Sequence, residues 1–132
     1  MKVLAVLPQG LEIEGIKELE ALGAQSVQSL KRAASFKCDL ACLYRLHLQA
    51  RLPFRFLRQI ANFECTTPQL LYAEVQKALD WSKWLHHSMS FRVDVSGSQK
   101  VLNHSHFTAL QVKNAIVDLQ RNLWGERSSI DL

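Results

Sequence analysis

The sequence predicts an α+β protein, and two kinds of segment support this prediction. Short apolar or alternating runs, bounded by Pro, Gly or charged residues, are typical of β-strands. Longer stretches with apolar residues three or four positions apart are typical of amphipathic helices. Over the first 64 residues these segments follow one another in the order β-α-β-β-α-β, whereas helical segments dominate the remaining residues.

The first strand is Val3–Leu7, a continuous apolar run that ends at Pro8 and is typical of a central strand covered on both faces. A helix follows and ends at Gly23, because glycine commonly terminates helices. Its predicted buried stripe consists of Leu11, Gly15, Ile16, Leu19 and Leu22.

Two further strands, Val27–Lys31 and Ala34–Cys38, are predicted to form a hairpin around residues 32–33. Asp39 can cap a second helix, which Pro53 terminates. The buried stripe of that helix consists of Cys42, Leu43, Leu46 and Ala50.

A half-exposed fourth strand completes this unit. Apolar residues alternate there with arginines, namely Phe54, Phe56 and Ile60 with Arg55 and Arg58. The resulting order of elements is that of the split βαβ, or ferredoxin-like, motif. We therefore predict a ferredoxin-like domain over residues 1–64 and a second unit over residues 65–132.

The second unit begins at Thr67-Pro68, a capping residue followed by proline at the first helical position. Its first helix has the apolar stripe Leu71, Val75, Ala78 and Leu79, and a short helical turn follows over residues 80–84. Alternation of apolar and charged side chains predicts a strand over residues 91–95. After a polar loop, the longest helix spans about residues 107–123, with the stripe Val112, Ala115, Ile116, Leu119 and Leu123. Residues 126–132 are typical of the approach to a strand whose partner is missing, so we expect this unit to be incomplete at its C-terminal end.

Composition narrows the class of protein. Apolar residues make up 48% and charged residues 21% of the chain, which are values of globular domains. No apolar run approaches the roughly 18 residues of a membrane span, and the N-terminus lacks the cleavage site of a signal peptide. Three cysteines without a scaffold spacing favour a reduced, cytoplasmic setting.

The positive charge is concentrated in one block. The net charge is +4, and residues 31–58 carry seven Lys or Arg and a single acidic residue, Asp39. Such a block is typical of a footprint for a polyanion. The alternative is an ordinary solvated face whose sign is accidental, and charge alone leaves both interpretations open.

A second group of hydrogen-bond donors lies on the longest helix. Positions seven apart drift by only about 20° per heptad, so His106, Lys113 and Gln120 lie near one line, with Arg121 adjacent. The preceding loop adds Lys100 and His104 at a helix N-terminus, where backbone N–H groups favour phosphate. An ordinary solvated face is again the alternative.

No familiar catalytic centre is encoded. The five glycines cannot form a Gly-rich cofactor loop, and the nucleophile-elbow and His-Glu-x-x-His motifs are absent. Cys38 and Cys42 have a ligand-like spacing, and histidines at 86–87 or at 104 and 106 could complete a zinc site. Both cysteines occupy apolar positions, however, so we predict no metal. The indoles of Trp81, Trp84 and Trp124 could stack on bases, although core packing is their usual role.

Several segments resemble one family of bacterial enzymes. Residues 10–12 (GLE), 18–19 (EL) and 22–23 (LG) are similar to the opening of a group of bacterial RNA methyltransferases. Residues 79–81 (LDW), 91–93 (FRV) and 107–118 (FTALQVKNAIVD) resemble the THUMP domain of the same group. The resemblance covers nearly the whole chain and points to the N-terminal part of the 23S rRNA guanine-N2 methyltransferase L family. The chain departs from that pattern at Asn114, where the family favours Asp, and at residues 128–129, where a Pro is usual.

The resemblance implies a ferredoxin-like domain, an RNA-binding THUMP domain and, in the parent enzyme, a methyltransferase domain that uses S-adenosylmethionine. RNA, above all ribosomal RNA, is the implied partner, and contacts to phosphates and shape would dominate its recognition. We expect cations from both units to share one exposed surface. The candidates are Arg51, Arg55, Arg58, Lys100, His104, His106, Lys113 and Arg121. The alternative is a protein-interaction module that pairs through open sheet edges.

Overall fold

The computed structural model describes residues 1–97 and 105–131 of the chain. Within them the chain divides into two compact units, Met1–Gln59 and Ile60–Leu132. The first combines strands with helices, and the described part of the second is mainly helical. This confirms the predicted α+β class, whereas the domain boundary between residues 64 and 65 stays a prediction.

The first unit has the predicted order of elements: β1 (Lys2–Val6), α1 (Glu12–Ala21), β2 (Gln25–Leu30), β3 (Ala33–Lys37), α2 (Leu40–Gln49) and β4 (Arg55–Arg58). Its strands form one antiparallel sheet in the order β2-β3-β1-β4. The first strand is therefore central, as its apolar run predicts. The order is that of the ferredoxin-like motif.

The core of the first unit lies on one face of the sheet. Val3 and Ala5 of β1 point to this face, as does Leu7, which directly follows the strand. All three are at most 1% exposed. They pack with Leu19 of α1 and Leu46 of α2. The intervening Leu4 and Val6 are only half-buried. The prediction of a strand covered on both faces was therefore wrong, because this antiparallel sheet carries its buried core on one face.

Helix α1 packs closely on β1 because a glycine stands at the contact. A Cβ atom on Gly15 would lie 2.7 Å from Cδ2 of Leu7, which is closer than side chains tolerate. After this helix, Gly23 adopts a φ of +106°, the left-handed conformation that favours glycine. Asp39 caps α2 as predicted, since its Oδ1 accepts a hydrogen bond from the N–H of Cys42 at 2.8 Å.

The second unit contains α3 (Pro68–Ala78), α4 (Trp81–Trp84) and α5 (Ser105–Trp124). Thr67 caps α3, because its Oγ1 accepts a hydrogen bond from the N–H of Leu70 at 3.1 Å. The core of this unit is built where α3 meets α5, from Leu71, Val75, Ala115 and Ile116. All four were placed on buried stripes by their sequence spacing.

Helix α5 is buried around most of its circumference at its middle. Ala115, Ile116 and Val117 follow one another and are at most 3% exposed. Steps of about 100° place them on different faces, so the single predicted stripe describes only part of the buried surface. Leu123, predicted at the end of that stripe, is 59% exposed. No helix in the described part of the chain is long and apolar enough to cross a membrane.

The strand predicted over residues 91–95 is confirmed only at its first residue. Phe91 forms an isolated parallel bridge with Ile130. The N–H of Phe91 donates to the carbonyl of Ser129 at 3.2 Å, and the N–H of Asp131 donates to the carbonyl of Phe91 at 2.8 Å. The tail was predicted to lack a partner, but Ile130 pairs with Phe91, whereas residues 92–97 form no ladder. Side-chain alternation does not supply the neighbouring strand that a ladder requires.

Candidate nucleic-acid interface

The two candidate arginines of β4 lie on opposite faces of the sheet. Phe56 pairs with Ala5 of β1 and packs on the core. Because side chains alternate along a strand, Arg58 shares the face of Phe56 and Arg55 points to the other face. The prediction that both arginines alternate with the phenylalanines was therefore wrong, since their positions differ by three and an odd difference places them on opposite faces. Both arginines are exposed.

Arg51 follows α2, and a carboxylate holds its backbone. The N–H groups of Arg51 and Leu52 both donate to Oε1 of Glu18, each at 3.0 Å. These bonds fix the chain as it leaves α2 and satisfy two backbone donors. Arg51 itself is exposed.

The basic block over residues 31–58 does not form one patch in the first unit. The carbonyl of Arg32 accepts from the N–H of Leu7 at 2.8 Å, and Arg55 pairs with Val6, so both lie at the C-terminal end of β1. Lys37 pairs with Lys2 at the other end. The two ends are about 13 Å apart at 3.3 Å per strand residue. The block therefore supplies two separate basic regions.

In the second unit, two candidate cations line one groove. The groove has a volume of about 450 Å³, and His106 and Lys113 stand on its α5 side. Residues 92–94 and 130–131 also line it. Nε of Arg92 donates to Oδ1 of Asp94 at 2.9 Å. The groove thus combines apolar walls with cations of α5 and two carboxylates.

Sequence reasoning missed Arg92, Asp94 and Asp131 as parts of this groove. They reach α5 because the bridge between Phe91 and Ile130 brings the tail beside residue 91. Such a pairing joins residues almost forty positions apart, and no local pattern of the sequence indicates it.

Gln120, predicted on the strip of donors, is a structural residue instead. Its side chain is 2% exposed. Its Nε2 donates to the carbonyl of Leu85 at 3.1 Å and to Oγ of Ser128 at 2.8 Å, while its Oε1 accepts from the N–H of Ser128 at 2.8 Å. The prediction was wrong because the tail at Ser128 covers this end of the strip.

Of the three remaining candidates in the second unit, the structure describes only Arg121. Arg121 is exposed. It follows Lys113 by eight residues, which corresponds to about 12 Å along α5 and about 80° around its axis. Lys113 and Arg121 therefore do not lie on one line. Lys100 and His104 lie outside the described residues.

Five of the candidate residues form no ion pair with a carboxylate in the described ranges. The ion pairs found there are Lys83–Asp80, His87–Glu126 and Arg92–Asp94. None of them involves the five candidates Arg51, Arg55, His106, Lys113 and Arg121. The charges of Arg51, Arg55, Lys113 and Arg121 are thus left for solvent or for an anionic partner.

The tryptophans differ in their surroundings. Nε1 of Trp81 donates to the carbonyl of Val75 at 2.6 Å, and its ring packs against the core. The ring of Trp124 lies 4.9 Å from that of His86 and 5.3 Å from that of His87. Trp84 is 45% exposed. Stacking of any of the three indoles on a base stays a prediction.

The cysteine pair is buried, with Cys38 8% and Cys42 5% exposed. Burial raises the pKa of the Cys38 thiol, and the neighbouring Cys42 raises it further. A buried thiol that stays protonated is a poor nucleophile and a poor ligand. No group of three or more His, Cys, Asp or Glu side chains that could hold a metal ion occurs among residues 1–97 and 105–131.

Fold and charge together define a class of protein. It is a two-unit α+β chain with a ferredoxin-like first unit and, among the residues that the structure describes, with exposed Arg51, Arg55 and Arg121 that form no ion pair with a carboxylate. Residues 67–132 match the family model of the THUMP domain, and residues 2–57 match that of the RlmL ferredoxin-like domain. The chain therefore belongs to the family of proteins that join an RlmL ferredoxin-like domain to a THUMP domain.

Curated relatives agree with this assignment. The chain is 41% identical over 128 residues to a putative RNA methyltransferase of Synechocystis, covering 97% of this chain and 33% of that protein. It is 39% identical over 132 residues to the ribosomal RNA large subunit methyltransferase K/L of Syntrophotalea carbinolica, covering 100% of this chain and 18% of the relative. The chain thus spans a third or less of the length of these relatives.

Solved structures share the fold. A possible methylase from Clostridium difficile superposes with a TM-score of 0.83 at 20% identity, over 98% of this chain and 35% of that one. A putative methyltransferase complexed with SAH gives a TM-score of 0.80 at 23% identity, over 95% of this chain and 33% of that one. At these identities the likeness shows the fold.

Proposed function

We propose that this chain is the RNA-binding portion of an RNA methyltransferase and docks structured RNA for a catalytic domain encoded elsewhere in the parent protein. The observation that carries the proposal is that, among the described residues, Arg51, Arg55 and Arg121 are exposed and form no ion pair with a carboxylate, in a chain that matches the THUMP family model. A polyanion is the partner that such cations favour.

The relatives narrow the proposed substrate to ribosomal RNA of the large subunit, because several of them are named for methylation of that RNA. We propose modification of guanine N2 from the resemblance of the sequence. The parent enzyme would use S-adenosylmethionine, which agrees with the SAH complex of one structural neighbour. The chain itself would contribute affinity and orientation rather than chemistry.

The contacts that we propose in the second unit are those of the groove. His106 and Lys113 would hold phosphates there, while the bonded pair of Arg92 and Asp94 shapes the opposite side. Phosphate contacts of this kind fix the position of an RNA without reading its sequence. Lys100, His104 and Arg121 would supply further phosphate contacts in the second unit, and Arg51, Arg55 and Arg58 would supply them in the first unit.

A salt titration of RNA binding tests the proposal. Filter binding of the 132-residue chain to a structured rRNA hairpin should weaken steeply between low and high salt, because each neutralised phosphate contributes a slope of about 0.9 in a log–log plot. A flat response, or no binding at low salt, would contradict the proposed function.

A protein-interaction module is the second candidate, and one surface favours it. Leu40, Tyr44 and Leu48 follow one another at spacings of four along α2 and are 50%, 61% and 84% exposed. Residues four apart form a continuous ridge on a helix. Self-association in sedimentation equilibrium at micromolar concentration, combined with no RNA affinity, would support this candidate instead.

A further inference from the structure

The sheet of the first unit presents one face that its helices do not cover. Register places Lys2 directly opposite Lys37 and Val6 directly opposite Arg55. Paired residues of neighbouring strands point to the same face. Because Val3, Ala5 and Phe56 point into the core, Lys2, Lys37 and Arg55 point to the opposite, open face.

Carboxylates are unevenly distributed between the two layers of this unit. None of the four strands contains an Asp or Glu, although together they carry Lys2, Lys37, Arg55 and Arg58. The carboxylates belong to the helical layer, where α1 alone carries Glu12, Glu14, Glu18 and Glu20. Asp39, the acidic residue next in sequence to Lys37, is engaged as the cap of α2. The charged strand residues that point to the open face, namely Lys2, Lys37 and Arg55, are therefore all basic.

The opposed lysines are an unfavourable feature of the sheet by itself. Like charges directly opposite each other on neighbouring strands destabilise the pairing. Lys2 and Lys37 are both exposed, and no ion pair in the described residues neutralises either of them. An anion between the two ammonium groups would turn this repulsion into a site for a charged ligand.

The centre of the open face is apolar and shallow. A cavity of about 210 Å³ lies beside Lys2 and is lined by Leu4, Ser35 and Leu57, among others. Pockets for drug-sized ligands begin near 300 Å³, so this one suits a single base or sugar. Leu57 is 42% exposed there and offers an apolar contact.

We propose that the open sheet face of the first unit binds a single-stranded segment of RNA, with Lys2 and Lys37 holding one phosphate and Arg55 another. The cations lie about 13 Å apart along β1, the length of three to four nucleotides at a stacking rise of about 3.4 Å. Bases of a single strand are free to lie on Leu4 and Leu57, whereas those of a duplex are hidden. This inference rests on the proposed function and adds a binding surface to it.

Charge reversal at one lysine, with a matched control, tests the inference. Lys37→Glu should raise the Kd for a fluorescently labelled single-stranded oligoribonucleotide about tenfold or more, because the variant loses one charge-assisted hydrogen bond to the RNA. Lys17→Glu makes the same change of net charge on α1 in the helical layer, and it should change the Kd by less than about threefold. Both measurements use the 132-residue chain.

Stability provides an independent readout. Lys37→Glu places opposite charges across β1 and β3, so its melting temperature should equal or exceed that of the wild type. Lys2→Gln, which removes one charge without reversal, should weaken binding in the same direction if Lys37→Glu fails to fold. Equal effects of Lys37→Glu and Lys17→Glu, with the wild type binding normally, would overturn this inference and leave the proposed function intact. A wild-type chain that binds no RNA would overturn both.

Discussion

At the scale of single residues, the carboxamide of Gln120 joins three parts of the second unit. Its hydrogen bonds connect α5 to the carbonyl of Leu85 and to Ser128 in the tail. Oγ of Ser128 in turn donates to the carbonyl of His86 at 3.2 Å. The heptad spacing predicts Gln120 on a solvated strip. This prediction was wrong because periodicity gives the direction of a side chain but not which other part of the chain covers it.

Replacing Gln120 should therefore lower stability and leave RNA contacts unchanged. Gln120→Ala leaves the buried N–H of Ser128 unpaired and should cost about 1–3 kcal/mol in the free energy of unfolding, measured by urea denaturation. Arg121→Gln, one residue further on the exposed side, is the control and should leave stability within about 0.5 kcal/mol. A Gln120→Ala variant of normal stability and reduced RNA affinity would show that Gln120 is a contact residue.

Tyr72 provides a second residue-scale test through pH. Its hydroxyl donates to Oδ2 of Asp118 at 2.5 Å, and this bond, together with burial, raises the pKa of Tyr72 above its usual value of about 10. The folded chain thus holds the phenolic proton more tightly than the unfolded chain. The resulting stabilisation is complete below about pH 10 and is lost as pH rises through the raised folded-state pKa.

The difference in unfolding free energy between the wild type and Tyr72→Phe should accordingly shrink as pH rises above about 10. Thermal melts of both proteins across alkaline pH measure this difference. A difference that stays constant or grows with pH would show that the bond to Asp118 does not hold the proton of Tyr72.

At the scale of elements, the approach of α1 to β1 depends on the absence of a side chain at Gly15. Gly15→Ala should destabilise the chain by about 1–2 kcal/mol, because the new methyl group meets the buried side chain of Leu7 and this outweighs the gain in helix propensity. In a Leu7→Val background the same substitution should cost less or stabilise. Urea denaturation of the four proteins gives the coupling energy. Additive effects would contradict this description of the contact.

The elements also show what sequence patterns can predict. The spacing of apolar residues predicted helices α1, α2 and α3, and residue type predicted the caps Asp39 and Thr67. Both predictions succeed because these signals depend only on residues close together in the sequence. The strand at residues 91–95 was predicted from alternation that is equally local, but a ladder depends on a partner distant in sequence. For the same reason the groove beside Lys113 could be predicted only on its α5 side.

At the scale of the whole molecule, the arrangement of charged residues in the first unit differs from their order in the sequence. The excess of Lys and Arg over residues 31–58 indicated a basic footprint, but the register of β1, β3 and β4 distributes these cations to both ends of the sheet. The sequence could not indicate the pairing of Lys2 with Lys37, because Lys2 lies outside the basic block over residues 31–58 and Lys37 lies within it. Folding thus produces a basic open face that no window of the sequence contains.

The central claim is that both units contact the same RNA through phosphates, and the salt dependence of binding tests it most directly. Filter binding of the wild type, Arg55→Gln, Lys113→Gln and the double variant to one rRNA hairpin gives a slope of log Kd against log salt for each protein. Each single substitution should lower the magnitude of that slope by about one, and the double variant by about two. Slopes that equal the wild-type value in all variants, or a wild-type slope near zero, would contradict the account.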